Sequence, residues 1–280
     1  FSASANEDGS INSQVSRTTQ NGEESQLDTN GVISDGDLIR SAVRESDITL
    51  ADVFSDFIVD FIDRKKDKPF FVYYPMVLVH DPFVPTPDSE DWKYKEKRYK
   101  NDTIYFKDMV AYTDKIVGKI TNKLKDLKLQ DNTIVIFVAD NGTHFTIHSK
   151  TKERNIQGAK GNTTDGGTHV PLIVSWPKNI KKGSIHDELI EFNDFFATLS
   201  DISKKEVKHD GRSFYSLLKG ENYESRDEAF VHYDPRWGKR VNQYRNQFAR
   251  TLNYKLYQDG KFYNLKEDVL EENPLSNDSI

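Results

Sequence analysis

Asp140 and Asn141 stand at the end of an apolar run, Thr133 to Ala139, and are followed at once by Gly142. A carboxylate and an amide carbonyl offer the hard oxygens that Ca2+ or Mg2+ prefers, and a glycine lets the backbone turn sharply behind them. The same three residue types also favour an ordinary turn for local reasons, so the triplet alone leaves both readings open. Further on, Gly158-Ala159-Lys160-Gly161 begins a glycine-dense stretch that runs to Gly167 and delivers a lysine. Backbone amides exposed by such turns favour anions, and an ammonium is a compact charge for an anionic oxygen. The spacing does not fit the Walker pattern, whose lysine follows the second glycine and directly precedes a helix. His80, followed by Asp81, Pro82, Pro85 and Pro87, opens a stiff loop. A lone histidine is more often structural than catalytic, and it is the position after an apolar run that makes His80 a candidate functional residue. His144 and His148 lie in a polar stretch, Thr143 to Gln157, with Lys150, Lys152 and Arg154. With no cysteine or HExxH-type helix beside them, an exposed or substrate-wall role is favoured over metal ligation.

The elements that must position these residues read as follows. Thr133 to Ala139 is β-branched without polar alternation, which predicts a strand buried on both faces, as in a parallel sheet. Phe70 to Tyr74 predicts a second buried strand, interrupted by Pro75 and resuming through Met76–Val79 to His80. Between them, Thr103 to Lys128 places Met109, Thr113, Ile116, Ile120 and Leu124 on one helical face. A strand, a helix and a strand in that order predict a right-handed parallel crossover, with His80 and Asp140 at one sheet edge, where ligands gather in such folds. Upstream, Thr49 and Asp52 resemble a capping box before an amphipathic helix, closed by Arg64, Lys65 and Lys66 where the helix dipole favours cations. Downstream, Val170 to Trp176 reads as a strand and Glu188 to Ile202 as a helix with Leu189, Phe192, Phe195, Phe196 and Leu199 inward. Short strands follow at 230–233, 247–257 and 261–265, with Asp259-Gly260 as a hairpin signal. The acidic tail from Glu267 is expected to fray. Phe1 to Ser46 is polar and is expected to be irregular and without chemistry. The reading is therefore an α/β fold: a mostly parallel sheet flanked by helices, with a small C-terminal antiparallel sheet. Its divisions are an N-terminal segment (1–47), a core (48–203) and a C-terminal subdomain (204–280).

Composition narrows the partners. With 39 basic against 45 acidic residues and a net charge of −6, the chain lacks the footprint of a nucleic-acid binder. No apolar run approaches the ~20 residues that span a bilayer. The sequence has no cysteine, which removes disulfides and thiolate zinc sites from these residues. It starts at Phe1 without an apolar leader, and we take it for part of a longer protein.

Taken together, these marks resemble the sulfatases of the alkaline-phosphatase-like superfamily. They are Lys68-Pro69-Phe70-Phe71-Val72-Tyr73-Tyr74 leading to His80-Asp81-Pro82, Asp131-Asn132-Thr133 through Asp140-Asn141-Gly142, and Gly158 to Gly167 leading into Val170-Pro171-Leu172. Tyr254-Lys255-Leu256-Tyr257 before Phe262-Tyr263-Asn264-Leu265 completes the set. The resemblance runs from about Thr49 to Leu275. It implies that Asp140 and Asn141 ligate a divalent cation, usually calcium, that Lys160 holds the sulfate, and that His80 contacts the same region and protonates the departing alcohol. His144 is a further candidate for substrate contact, and His169 is left unassigned. The implied substrate is a sulfated carbohydrate or aryl sulfate. Localisation and oligomeric state stay open, the resemblance pointing to a periplasmic or secreted protein.

One departure is large. The family carries two further acidic metal ligands on its first strand and a Cys- or Ser-x-Pro-x-Arg segment whose first residue becomes formylglycine, the nucleophile. No such segment occurs here, and the first convincing element, near Thr49, corresponds to a region downstream of it. The expectation is a sulfatase portion whose nucleophile lies upstream, inert by itself. A phosphodiesterase or phosphonate hydrolase of the same superfamily and a non-catalytic carbohydrate-binding relic are the alternatives.

Overall fold

The computed structural model describes residues 2–5, 11–18, 24–29, 49–152, 154–234 and 246–276. Its contacts gather into two units, Phe1–Leu127 and Lys128–Ile280.

In the first unit the polar N-terminal stretch is not wholly irregular. It holds a three-stranded antiparallel sheet of β1 (Ser2–Ala5), β2 (Ile11–Thr18) and β3 (Glu24–Thr29). Sheet ladders are made by backbone groups that every residue carries, so a composition too poor for a core still permits a meander. Helix α1 (Leu50–Lys65) starts at the capping box read from the sequence, with Thr49 and Asp52 each satisfying the other's backbone N–H. Its buried face is Ala51, Ser55, Ile58 and Ile62. Helix α2 (Phe106–Asp126) packs on it through Tyr112 and Ile116, with Tyr74, Met76 and Leu78 added to the cluster. The segment expected as a buried strand, 70–79, forms no ladder among the described residues and ends in a turn at 77–80. Its even-numbered side chains Tyr74, Met76 and Leu78 pack inward, while Phe71, Tyr73 and Val77 are exposed, Tyr73 at 79%. The two-residue alternation of a strand holds only from Tyr73 to Leu78, since Val72 is exposed as well, at 37%.

In the second unit β4 (Val135–Val138) pairs with β7 (Leu172–Ser175) in antiparallel register, Val135 opposite Ser175 and Val138 opposite Leu172. No parallel ladder occurs among the described residues, so the crossover pairing expected from the sequence is not made there. With one partner strand among the described residues, β4 is half-buried along its length. The expected loop 143–157 contains a short hairpin, β5 (His148–Lys150) with β6 (Asn155–Gln157). A single turn, α3 (Asp165–Thr168), closes the glycine-rich stretch.

Helix α4 (Phe192–Ser203) turns a different face inward from the one expected. Phe192, Phe196 and Leu199 are exposed, and Asp194, Ala197, Thr198 and Ser200 are buried. Asp194 decides this: fully buried, it accepts from Arg212 N (2.6 Å) and pairs with the Arg226 guanidinium, so the polar network fixes the rotation of the helix. After α5 (Tyr215–Leu218) comes the small antiparallel sheet, in spatial order β11, β10, β9, β8. Its strands are β8 (Ala229–Tyr233), β9 (Asn246–Arg250), β10 (Tyr254–Tyr257) and β11 (Phe262–Asn264). The stretch read as one strand over 247–257 turns at 251–253. The Asp259-Gly260 hairpin forms as expected, with Gly260 at φ +88°. Among the described residues no helix is long and apolar enough to cross a membrane.

Candidate active site

Asp140 and Asn141 follow the carboxyl end of β4, and the turn they begin is stitched directly to the lysine-bearing loop. Gly142 N–H donates to Gly167 O (3.0 Å), Lys160 N–H to Thr143 O (2.9 Å), and Gly158 N–H to Ile147 O (2.9 Å). The glycines permit this approach. A Cβ on Gly142 would lie 2.0 Å from Gly166 O, and one on Gly158 would lie 2.2 Å from His144 O. Both obstacles are backbone and cannot swing aside. Three sequence candidates are thus brought together within this unit. No protein hydrogen bond or ion pair among the described residues engages the side chains of Asp140, Asn141 or Lys160, and the half-buried Lys160 keeps its ammonium for another partner.

Beneath the loop lies a buried polar network that the sequence reading missed. Lys255, at 0% exposure, donates from Nζ to Thr163 O (2.6 Å), Glu271 Oε1 (3.0 Å) and Asp165 Oδ1 (3.2 Å). Asp165 N–H donates to Glu271 Oε1 (2.7 Å), and Arg250 Nη1 reaches both Asp165 oxygens at 3.0 Å. Tyr257 OH donates to Glu271 and lies 3.1 Å from Thr163 O, and burial followed by the Glu271 hydrogen bond pushes its hydroxyl pKa far up. Every member is paired, which is the condition under which buried charges hold a structure in place. The tail expected to fray from Glu267 is instead anchored by Glu271, 8% exposed. A signal was present: Lys255 shares inward parity with Tyr257 on β10, whereas Leu256 points out. A lysine on the core side of a strand demands a carboxylate.

His80 belongs to the first unit. Its Nδ1 lies 2.6 Å from Asp81 O and 3.2 Å from Asp81 Oδ1, its ring is exposed, and its N–H donates to Val77 O (2.9 Å). A ring held at Nδ1 by a carbonyl leaves Nε2 as the nitrogen facing outward. In the second unit His144 Nδ1 meets Thr146 Oγ1 (2.8 Å) and its ring lies against Phe145. His148 is exposed on β5, and His169 is exposed with Nδ1 3.9 Å from Asp165 Oδ2.

For a calcium ion the donors are right in kind and short in number. Asp140 and Asn141 present hard oxygens with no competing protein partner among the described residues, but Ca2+ takes about six to eight. No group of three or more His, Cys, Asp or Glu gathers among the described residues. The pair fits part of such a site.

Comparison with known proteins gives one answer. The sulfatase family model matches residues 5–204, and the model for the C-terminal part of N-sulphoglucosamine sulphohydrolase matches residues 161–279. A sulfatase of Formosa agariphila is 32% identical over 263 residues, 80% of this chain and 46% of that protein. An N-acetylgalactosamine-6-O-sulfatase of Bacteroides thetaiotaomicron is 29% identical over 195 residues, 65% of this chain and 36% of that protein. Among solved structures, Ps i-CgsB superposes with a TM-score of 0.67 at 25% identity over 82% of this chain and 51% of that one. Ps i-CgsB has also been solved in complex with k-i-k-neocarrahexaose. The chain spans about half or less of these relatives' lengths.

Proposed function

This chain belongs to the sulfatase family and has its alkaline-phosphatase-like α/β fold, and from that premise we propose that the protein hydrolyses an organic sulfate ester, a sulfated carbohydrate or an aryl sulfate. The observation that carries the reading is the stitching of the Lys160 loop to the turn of Asp140 and Asn141. It joins the backbone that carries a lysine to the backbone that carries two hard-oxygen side chains, residue types suited together to a multiply charged oxyanion. Lys160 binds the sulfuryl oxygens and the bridging oxygen, where negative charge collects as the ester bond breaks. Asp140 and Asn141 hold a divalent cation, with further ligands from outside these residues. That ion would neutralise sulfuryl oxygens and help ionise the attacking hydroxyl. To His80 we assign the proton that goes to the leaving alcohol, delivered from Nε2 of the imidazolium form, which returns to the neutral imidazole while Nδ1–H stays on Asp81 O. The nucleophile we place upstream of these residues, as a formylglycine whose hydrate supplies the attacking hydroxyl. Residues 1–280 alone are accordingly expected not to turn over.

The test is Lys160→Ala and Asp140→Ala in the whole protein. With a chromogenic aryl sulfate, Lys160→Ala should lower kcat/KM by about two to three orders of magnitude, the usual cost of one preorganised charge. Asp140→Ala should lose calcium binding and turnover together. Wild-type kinetics in the first, or unchanged calcium affinity in the second, overturns the corresponding role.

A further inference from the structure

Three residues beyond His80 the chain opens a long, closed loop. Its base is clasped by Phe83 N–H to Asn101 Oδ1 (2.7 Å) and Asp102 N–H to Phe83 O (2.9 Å), over a Phe83 that is itself buried against Phe106. Compact loops with adjoining ends, packed by their own side chains, are frequently functional. This one is well packed. Ser89 Oγ donates to Asp108 (2.8 Å), Lys97 Nζ (2.7 Å) and Tyr105 OH (2.6 Å) both reach Asp91, and Lys115 pairs with Asp88 (2.7 Å). Arg98 is buried, donates from Nε to Trp92 O (2.7 Å) and lays its guanidinium 3.9 Å over the Trp92 ring.

The outer surface is of another character. From Lys93 to Lys100 five of eight residues are basic and only Glu96 is acidic, in a chain whose net charge is −6. Lys93, Lys95 and Lys100 are exposed, and no carboxylate among the described residues forms an ion pair with them. Among them sits Tyr94, 43% exposed, with Lys93 Nζ 5.0 Å and Lys97 Nζ 4.9 Å from its ring centre. The electron-rich ring holds the two ammonium groups over it by cation–π attraction, and charges gathered in this way meet the sulfate oxygens of a sugar. A local positive field in an acidic protein also concentrates anions at that spot.

We propose that the loop from Phe83 to Asp102 is a binding subsite for an anionic sulfated sugar residue of an oligosaccharide substrate. It sets a preference for sulfated oligosaccharides over small aryl esters. This rests on the sulfatase reading for what happens at His80, and the binding itself is testable without turnover.

The experiment compares the whole protein with Tyr94→Ala and with the triple variant Lys93→Gln, Lys95→Gln, Lys100→Gln. Isothermal titration with a heparin-derived hexasaccharide reads affinity, and thermal melting confirms folding. The triple variant is expected to bind about tenfold more weakly at low salt, three exposed charge contacts each contributing a fraction of a kcal/mol. The difference should shrink in 1 M salt, where charges are screened within ~3 Å. Tyr94→Ala should bind more weakly at both salt concentrations, and kcat and KM for the aryl sulfate should stay within twofold of the parent in both variants. Unchanged hexasaccharide affinity, or equal affinity of the parent for the desulfated hexasaccharide, overturns the subsite. Equal binding of a single-stranded DNA oligonucleotide replaces the sugar partner with any polyanion and overturns it likewise. If the parent turns over no sulfate ester but the affinity differences persist, the sulfatase reading fails and the subsite stands.

Discussion

Lys160 and His80 both sit on irregular backbone, yet their surroundings differ in kind. The loop of Lys160 is tied at its backbone to the turn of Asp140 and Asn141, and from below Thr163 and Asp165 are gripped by Lys255, Arg250, Tyr257 and Glu271. His80 is held by its own neighbour, Asp81, and by one backbone bond to Val77, in a turn that ends a segment with Phe71, Val72, Tyr73 and Val77 exposed. The first arrangement spreads the task of positioning over residues nearly a hundred positions downstream. The second keeps it local. A group that must present fixed charge to a developing oxyanion gains from preorganisation, whereas a proton donor needs chiefly a ring whose nitrogens are assigned.

The strongest blow to this contrast is Glu271→Ala. It leaves the fully buried Lys255 short of one carboxylate, and breaking a buried pair by removing one partner costs about 3–5 kcal/mol. Chemical denaturation should show a loss of that size, and hydrogen exchange should show the amides of 163–167 opening first. A loss below about 1 kcal/mol would mean that the tail does not anchor the loop.

Next comes Gly142→Ala. Its Cβ would meet Gly166 O at 2.0 Å and Gly167 Cα at 2.8 Å, so the two loops must part, for about 1–3 kcal/mol of overpacking. Turnover by the whole protein should fall well beyond what the melting shift explains, because the displaced element carries Lys160. A variant with parental kcat/KM would show that the stitching is not what positions the lysine.

The smallest effect is expected on the side of His80, at the helix pair. Tyr112 OH donates to Asp52 Oδ1 (2.6 Å), beside the Thr49 N–H (2.8 Å) and hydroxyl (2.7 Å). Burial pushes the Asp52 carboxyl up, but the Tyr112 and Thr49 hydrogen bonds outweigh it and hold the pKa below 3.8. A depressed carboxylate contributes stability that is present above the unfolded value and is lost as pH falls through the folded one. Tyr112→Phe should therefore cost about 1.5 kcal/mol at neutral pH, with the gap to the parent closing below pH 3.8. A gap that stayed constant into acid would assign the loss to packing instead.

Much of this was legible in the sequence because it is local. The capping box of Thr49 and Asp52, the amphipathic helices and the Asp259-Gly260 hairpin all rest on contacts a few residues apart. The residue types at 140, 141 and 160 likewise announced hard oxygens and a cation before any coordinates. What failed was partnership. An apolar run such as 70–74 says that it wants cover but not from which strand, and the run in β4 carried no mark that its partner would be antiparallel. The aromatic stripe of α4 was read as core on periodicity, and a buried Asp194 paired with Arg226 turned it outward.

The sequence by itself determined the side-chain chemistry at 140, 141 and 160, and where helices start and hairpins turn, since these follow from residue type and short-range backbone geometry. Only the tertiary structure decided that Glu271, at the end of an acidic tail, would reach Lys255 and Asp165 and so grip the loop of Lys160. The reason is physical: a charged residue leaves the solvent only if its counter-charge arrives at the same place, and that meeting, between residues 106 positions apart, is settled by packing.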